Sequence, residues 1–172
     1  MKSIVAPLLA AMAVEQDPEV LSAQFDATSD IVLAAPDIFT SSDAETFVNT
    51  CKEQIEELQR VMSEGPTEVY DKSSLEDYAH AVRSTLEYMS ASLQAFIKTS
   101  GPAFPAHGLA GVLNQAIGEQ LGLEGEKEWA LRLVCDLIQY AAPAAVAWTS
   151  GLLSVVQEGL SDLREYCMRS GL

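Results

Sequence analysis

Apolar residues recur every three or four positions through most of this 172-residue chain, and that spacing limits what the chain can fold into. The two longest series are Phe47, Cys51, Ile55, Leu58 and Met62, and Leu75, Tyr78, Val82, Leu86, Met89, Leu93 and Phe96. Such spacing places an apolar stripe along one side of an α-helix. No stretch alternates apolar and polar residues as a half-buried strand does. The sequence therefore predicts an all-α fold.

Capping residues, prolines and glycines divide the chain into about eight predicted helices. Asp17 followed by proline is typical of a helix start, because its carboxylate can accept from N–H groups of the first turn. Ser42 with Asp43 predicts the start of a long helix, and Ser73 or Ser74 predicts the start of a second. The predicted helices are residues 3–14, 18–35, 42–63, 73–99, 106–121, 126–141, 144–160 and 161–169.

These helices are predicted to form four hairpins, at about residues 3–35, 42–99, 105–142 and 143–172. Each pair has a short internal turn, and a proline lies near the start of each pair or at the break before it. Repeated pairs that bury one face by stacking on their neighbours are typical of an α-solenoid. A closed helical bundle uses the same apolar stripes, and it stays open as an alternative.

The charge of the chain is strongly acidic, with 25 Asp and Glu against 10 Lys and Arg and a net charge of −15. Residues 15–77 alone hold 16 acidic and three basic side chains. Such a surface repels phosphate backbones and anionic lipids, so we expect neither direct nucleic-acid binding nor membrane binding. No apolar run is long enough to span a bilayer. Basic proteins are the partners that electrostatics favours.

Residue motifs for catalysis, metals and cofactors are missing from the sequence. There is no phosphate-binding loop and no Gly-x-Ser-x-Gly turn. His80 and His107 lie on separate elements, without a second ligand at metal-binding spacing, so both are interpreted as surface histidines. Cys51, Cys135 and Cys167 are far apart and lie among apolar helical positions, which favours packed thiols in a reducing compartment. The chain is therefore predicted not to be an enzyme.

Three short segments resemble known helical repeats. Residues Asp17-Pro18-Glu19-Val20, followed by small residues, resemble the second helix of a HEAT repeat, and residues 162–164 resemble the same element. The strongest match is the run 128–143, in which a tryptophan opens the helix and a small-small-proline run starts the next repeat. This run resembles the C-terminal half of importin-beta superfamily proteins (karyopherins), in the branch that carries ribosomal proteins and histones.

The resemblance implies a HEAT-repeat α-solenoid that binds proteins. In that family, basic cargo binds the concave face, nucleoporin repeats bind between outer helices, and Ran acts on N-terminal repeats. The resemblance also implies that the protein shuttles between cytoplasm and nucleus. A location in the cytoplasm alone is the alternative. This chain departs from the family at Cys135 and Gln139, where acids are usual, and its acidic linker near residues 64–72 is short. It is expected to be a segment of such a receptor, or a small protein related to one.

The resemblance also indicates where a partner would bind, because the second helix of each HEAT pair lines the concave surface. Carboxylates along these helices would accept charge-assisted hydrogen bonds from a Lys/Arg-rich cargo. The predicted partner-binding residues are Glu19, Asp26 and Asp30 in the first pair, Asp77, His80, Ser84 and Glu87 in the second, and Glu128, Arg132, Asp136 and Gln139 in the third.

Two other readings of the sequence stay open. The chain could be a stand-alone acidic helical adaptor, or an inhibitor of a basic protein, which needs the same acidic surface without a transport receptor around it. It could also be a ligand-binding helical bundle with His80 or His107 as a metal or haem ligand. Bound metal or haem absorbance in the purified protein would distinguish this last reading from the others.

Overall fold

A computed structural model of the chain describes residues 4–64, 72–109, 113 and 126–142. Every regular element within these ranges is helical, which confirms the all-α prediction. Three short 3-10 turns join the α-helices, at Pro36–Ile38, Gly101–Ala103 and Ala106–Leu109. The α-helices are α1 (Val5–Val14), α2 (Pro18–Ala34), α3 (Ser41–Glu64), α4 (Lys72–Ser100) and α5 (Glu126–Tyr140). The hairpin predicted at 143–172 and most of the helix predicted at 106–121 lie outside the described residues.

The start of α2 follows the predicted capping chemistry. The Asp17 carboxylate accepts from the main-chain N–H groups of Glu19, at 2.9 Å, and Val20, at 3.3 Å. Pro18 occupies the first helical position, where its missing N–H costs nothing. The N-terminus of α2 is thus set locally, by residues 17–20.

The residue that caps the start of α3 is not the one that the sequence predicted. Thr40, rather than Ser42, caps this helix: its Oγ1 accepts from the N–H of Asp43 at 3.2 Å. The Asp43 carboxylate accepts in return from the Thr40 N–H at 2.8 Å, which completes a reciprocal capping box. With Thr40 as cap, the helix begins at Ser41. Helix α4 likewise begins at Lys72, before the predicted caps Ser73 and Ser74.

Helices α2 and α4 form the most extensive contact among the described elements, and they run in the same direction. Thr85 Oγ1 donates to the carbonyl oxygen of Pro18 at 2.8 Å, and Ser92 Oγ donates to the carbonyl oxygen of Phe25. Both pairs are separated by 67 residues, so position numbers rise together along the two helices. Ser22 Oγ lies 3.0 Å from Thr85 Oγ1. Small hydroxyl side chains therefore bring the two helices close and fix their register.

Helix α1 packs mainly against α3, and a buried amide joins the two. Gln54 Nε2 donates to the carbonyl oxygens of Met12, at 3.0 Å, and Glu15, at 3.2 Å. Carbonyls at the end of a helix have no partner within the helix, so a side chain from elsewhere must satisfy them when they are buried. Gln54 does this for the end of α1.

Four phenylalanine rings connect α2, α3, α4 and the turn before α3. Phe47 of α3 lies 6.1 Å from Phe25 and 4.6 Å from Phe96, measured between ring centroids. Phe39 meets Phe96 edge to face, with centroids 5.0 Å apart. Phe25, Phe47 and Phe96 are almost completely excluded from solvent. These rings form the centre of the apolar core, and α3 covers the contact between α2 and α4.

The cysteines lie in two different environments. Cys51 is fully buried in α3, as predicted, and burial raises the pKa of its thiol well above the usual value. Cys135 is exposed on α5, so the prediction of a packed thiol is wrong there. Its position lies on the side of α5 away from the buried residues Leu133 and Leu137. Cys167 lies outside the described residues.

Replacing Gln54 with methionine is expected to lower the free energy of unfolding by about 1–2 kcal/mol. The change keeps the side-chain volume but removes the donor for two carbonyl groups at the end of α1. Urea unfolding followed by circular dichroism measures the loss. Lys52→Met is the control, because the ion pair of Lys52 with Glu56 is exposed and its loss should cost less than about 0.5 kcal/mol. Equal losses in the two variants would contradict a capping role for Gln54.

Candidate protein-binding face

The predicted binding residues of α2 form one exposed stripe. Glu19, Asp26 and Asp30 are all exposed. At about 100° per residue, the three positions lie within about 40° of one another around the helix. Thr28, whose Oγ1 lies 3.6 Å from the Met12 sulfur of α1, is on the opposite side of α2. The three carboxylates therefore point away from α1.

The predicted binding residues of α4 also share one side of their helix. Asp77, His80 and Glu87 are exposed, and Ser84 is half-buried. By the same helical geometry, the four positions span an arc of about 80°. On the opposite side of α4 are its buried apolar residues, which are Val82, Leu86, Met89, Leu93, Phe96 and Ile97. The polar side of α4 therefore faces away from the core.

The stripes of α2 and α4 lie on the same side of the pair, opposite α1 and α3. Because the two helices are parallel and paired positions differ by 67, Glu19 is level with Leu86 and Asp26 is level with Leu93. Asp30 is level with Ile97, so Asp26 and Asp30 lie beyond the stripe of α4, and residues 77 and 80 lie before the level at which α2 begins. The two stripes therefore follow one another along the same side of the pair and overlap only near Glu19 and Glu87. We call the surface formed by Glu19, Asp26, Asp30, Asp77, His80, Ser84 and Glu87 the acidic face.

One residue of this face was missed in the sequence. Tyr88 of α4 is 41% exposed and lies between the levels of Glu19 and Asp26, on the side of α4 that borders α2. An exposed aromatic ring beside carboxylates can contact the cation and the aliphatic stem of a lysine or arginine. The sequence pattern could have identified Tyr88 as exposed, because it does not belong to the apolar series that contains Leu86 and Met89.

The third group of predicted residues, on α5, lies in a different electrostatic setting. Asp136 Oδ2 lies 3.7 Å from Lys98 Nζ of α4, and the Asp136 side chain is only 15% exposed. Lys98 also lies 6.0 Å from the centre of the Tyr140 ring. Asp136 therefore holds α5 against α4, and its charge is balanced within the chain.

The remaining predicted residues of α5 are less informative. Arg132 and Gln139 are exposed. The side chain of Glu128 lies outside the described residues. The negative charge of the candidate site is consequently concentrated on α2 and on the neighbouring side of α4, while the α5 side is close to neutral.

Two features of the described residues bear on metal and small-molecule binding. Where the structure describes the chain, no three His, Cys, Asp or Glu side chains are placed to hold a metal ion. A cleft of about 320 Å³ lies where α2 and α4 end and α3 begins, and Asp37 is the ionisable side chain among its lining residues. His80 is exposed, as predicted for a surface histidine, and the side chain of His107 is outside the described part.

Among the helices that the structure describes, none combines the length and the apolar character needed to cross a bilayer.

No protein-family model, no curated protein and no solved structure matches this chain.

Proposed function

We propose that this chain is a protein-binding helical segment whose acidic face holds a Lys/Arg-rich segment of a partner protein. The observation that carries the proposal is that the exposed carboxylates of α2 and α4 lie on one side of two parallel helices and follow one another over about 30 Å of their length. Exposed carboxylates at this spacing can accept charge-assisted hydrogen bonds from several cations of one extended segment. Their combined field also speeds the approach of a basic partner at low salt.

We propose an α-solenoid as the arrangement that presents this face. In support, α4 packs against α2 through Thr85 and Ser92, and it contacts α5 through Lys98, about 120–140° away around the helix. The second helices of three successive predicted pairs thus follow one another in order. The first helices α1 and α3 are also in contact. A stack of helical pairs has both of these properties.

The proposal extends to a HEAT-repeat segment of, or related to, an importin-beta-type transport receptor. Support comes from the resemblance of residues 17–20 to a HEAT repeat and of residues 128–143 to that superfamily, together with the parallel second helices. Under this proposal the partner is a basic cargo protein. Binding of nucleoporin repeats, binding of Ran and movement between cytoplasm and nucleus would be properties of the receptor as a whole.

The binding proposal is tested by replacing Asp26 and Asp30 together with alanine. We expect the Kd for a fluorescent Lys/Arg-rich peptide to rise about fivefold at low salt, which corresponds to about 1 kcal/mol for two exposed charges. The difference should shrink at about 0.5 M salt, because the charges are then screened. Fluorescence anisotropy at the two salt concentrations measures both effects.

The matched control is Glu45→Ala with Glu53→Ala. These two residues are exposed on α3, away from the acidic face, and the double change alters the net charge equally. We expect less than a twofold change in Kd. Equal weakening by both double variants would show attraction to overall charge and would exclude a binding site on this face. Absence of any binding to the unaltered chain at low salt would overturn the proposal outright.

A further inference from the structure

The cleft where α2 and α4 end and α3 begins has an apolar floor. Val32, Ala44 and Phe96 line it and are buried, and the ring of Phe39 packs against that of Phe96. The cleft volume of about 320 Å³ is at the lower end of the range for small-molecule sites, about 300–1,000 Å³. The cleft therefore has room for one side chain or a small organic molecule, and its floor can pack against an aliphatic chain.

Two helix ends give the cleft a negative potential. Helices α2 and α4 run in the same direction, and Ala34, the last residue of α2, is level with Gly101, which directly follows α4. The carboxyl ends of both helices therefore meet at the cleft, and each is equivalent to about half a negative charge. The last carbonyl groups of a helix have no partner within it, so their oxygens favour a positively charged donor.

Side chains at the cleft add one full negative charge and further acceptors. Asp37 lines the cleft, is exposed, and makes no hydrogen bond or ion pair within the part of the chain that the structure describes. The hydroxyl groups of Ser41 and Ser100 belong to lining residues as well. None of the lining residues is a lysine or an arginine, so the cleft contains no cation of its own to balance Asp37.

The start of α3 does not reverse the sign of this potential. Its amino end is equivalent to about half a positive charge, but the Asp43 carboxylate lies at this end, where it accepts from the N–H of Thr40. Lys98 of α4 is paired with Asp136 of α5. Two helix ends and Asp37 thus outweigh the amino end of α3, and the cleft favours a cation over an anion.

We propose that this cleft is a binding site for a primary ammonium group on an aliphatic chain, as in a lysine side chain or a small alkylamine. The ammonium group has three N–H donors, which suit the Asp37 carboxylate together with carbonyl and hydroxyl oxygens at the ends of α2 and α4. The carbon chain would pack on the floor formed by Val32 and Phe96, as the stem of a lysine packs on apolar surface.

The cleft is separate from the acidic face. Val32 lines the cleft, whereas Asp30 of the acidic face lies about 160° away around α2. Ammonium binding at the cleft does not rest on the proposed function. It can be observed in a chain whose acidic face binds no peptide, and it can be absent from a chain whose acidic face does.

The test is an NMR titration of the full, ¹⁵N-labelled chain with pentylamine. Pentanol and pentanoate are the uncharged and anionic probes with the same carbon chain. We expect pentylamine to shift the amide signals of residues 37–41 and 99–101, and to bind at least about fivefold more tightly than either control probe. A short peptide with one lysine distinguishes the two sources of the ammonium group. Shifts with this peptide indicate a lysine side chain, and shifts with pentylamine alone indicate a free alkylamine.

Asp37→Asn keeps the size of the side chain and removes its charge. It should raise the Kd for pentylamine about fivefold. Glu53→Gln is the matched control, because it removes one charge from an exposed position of α3 outside the cleft, and it should change the Kd less than about twofold. Circular dichroism verifies that both variants are folded. Absence of shifts at the cleft, equal binding of pentylamine and pentanol, or equal weakening by the two variants would each overturn the proposal.

Discussion

Replacing Phe47 with alanine is expected to lower the free energy of unfolding by about 3–5 kcal/mol, the range for a large aromatic side chain removed from a core. Phe47 is completely buried and contacts the rings of Phe25 and Phe96, so the change opens a cavity between three helices. Since α3 covers the contact between α2 and α4, the loss should affect all three elements together. Urea unfolding followed by circular dichroism measures it.

Tyr88→Ala is the matched control for Phe47→Ala. It also removes an aromatic ring, but this ring is 41% exposed and lies outside the core. We expect a loss below about 1 kcal/mol, in the range of ordinary surface substitutions. Comparable losses for the two variants would mean that the phenylalanine cluster does not form the centre of the fold.

Replacing Ser92 with leucine is expected to cost about 2–3 kcal/mol. Ser92 is fully buried where α4 meets α2, and its hydroxyl donates to the carbonyl oxygen of Phe25. A leucine at this position would force the helices apart and remove that hydrogen bond. Because the acidic face spans both helices, its carboxylates would also move relative to Tyr88, and affinity for a basic peptide should fall along with stability.

Ala91→Leu tests whether the position, rather than the introduced leucine, causes this effect. Ala91 precedes Ser92 in the same helix, and it is exposed. The change should alter the free energy of unfolding by less than about 0.5 kcal/mol. If Ala91→Leu destabilises the chain as much as Ser92→Leu, close packing of α2 on α4 does not determine stability.

Helical periodicity was enough to predict the class of fold and most helix boundaries. The apolar series from Phe47 to Met62 and from Leu75 to Phe96 predicted the two long helices, because an apolar stripe must be buried wherever the helix packs. The cap Asp17 was predictable for a similar reason: its hydrogen bonds involve residues only two and three positions away. The cap of α3 was misplaced by two residues, because Thr40, Ser41, Ser42 and Asp43 are all capable of capping a helix.

Features that depend on packing between helices were not predictable from periodicity. Asp136 has the spacing of a surface acid, yet it is paired with Lys98, which is 38 positions earlier and on another helix. Nothing in the sequence near Gln54 indicates that it satisfies carbonyls at the end of α1. The shared side of Glu19, Asp26 and Asp30 followed from spacing alone. That they lie on the same side of the pair as the polar stripe of α4 depends on the parallel packing of the two helices.

That register has a consequence for how this molecule can change over evolutionary time. The hydrogen bonds from Thr85 and Ser92 end on main-chain oxygens of α2, which every amino acid supplies. Helix α4 thus determines the position of its neighbour, whichever residues occupy the outer side of that neighbour. The carboxylates of α2 can be exchanged for other side chains without disturbing this alignment, so the preference for a partner can shift while the scaffold stays the same.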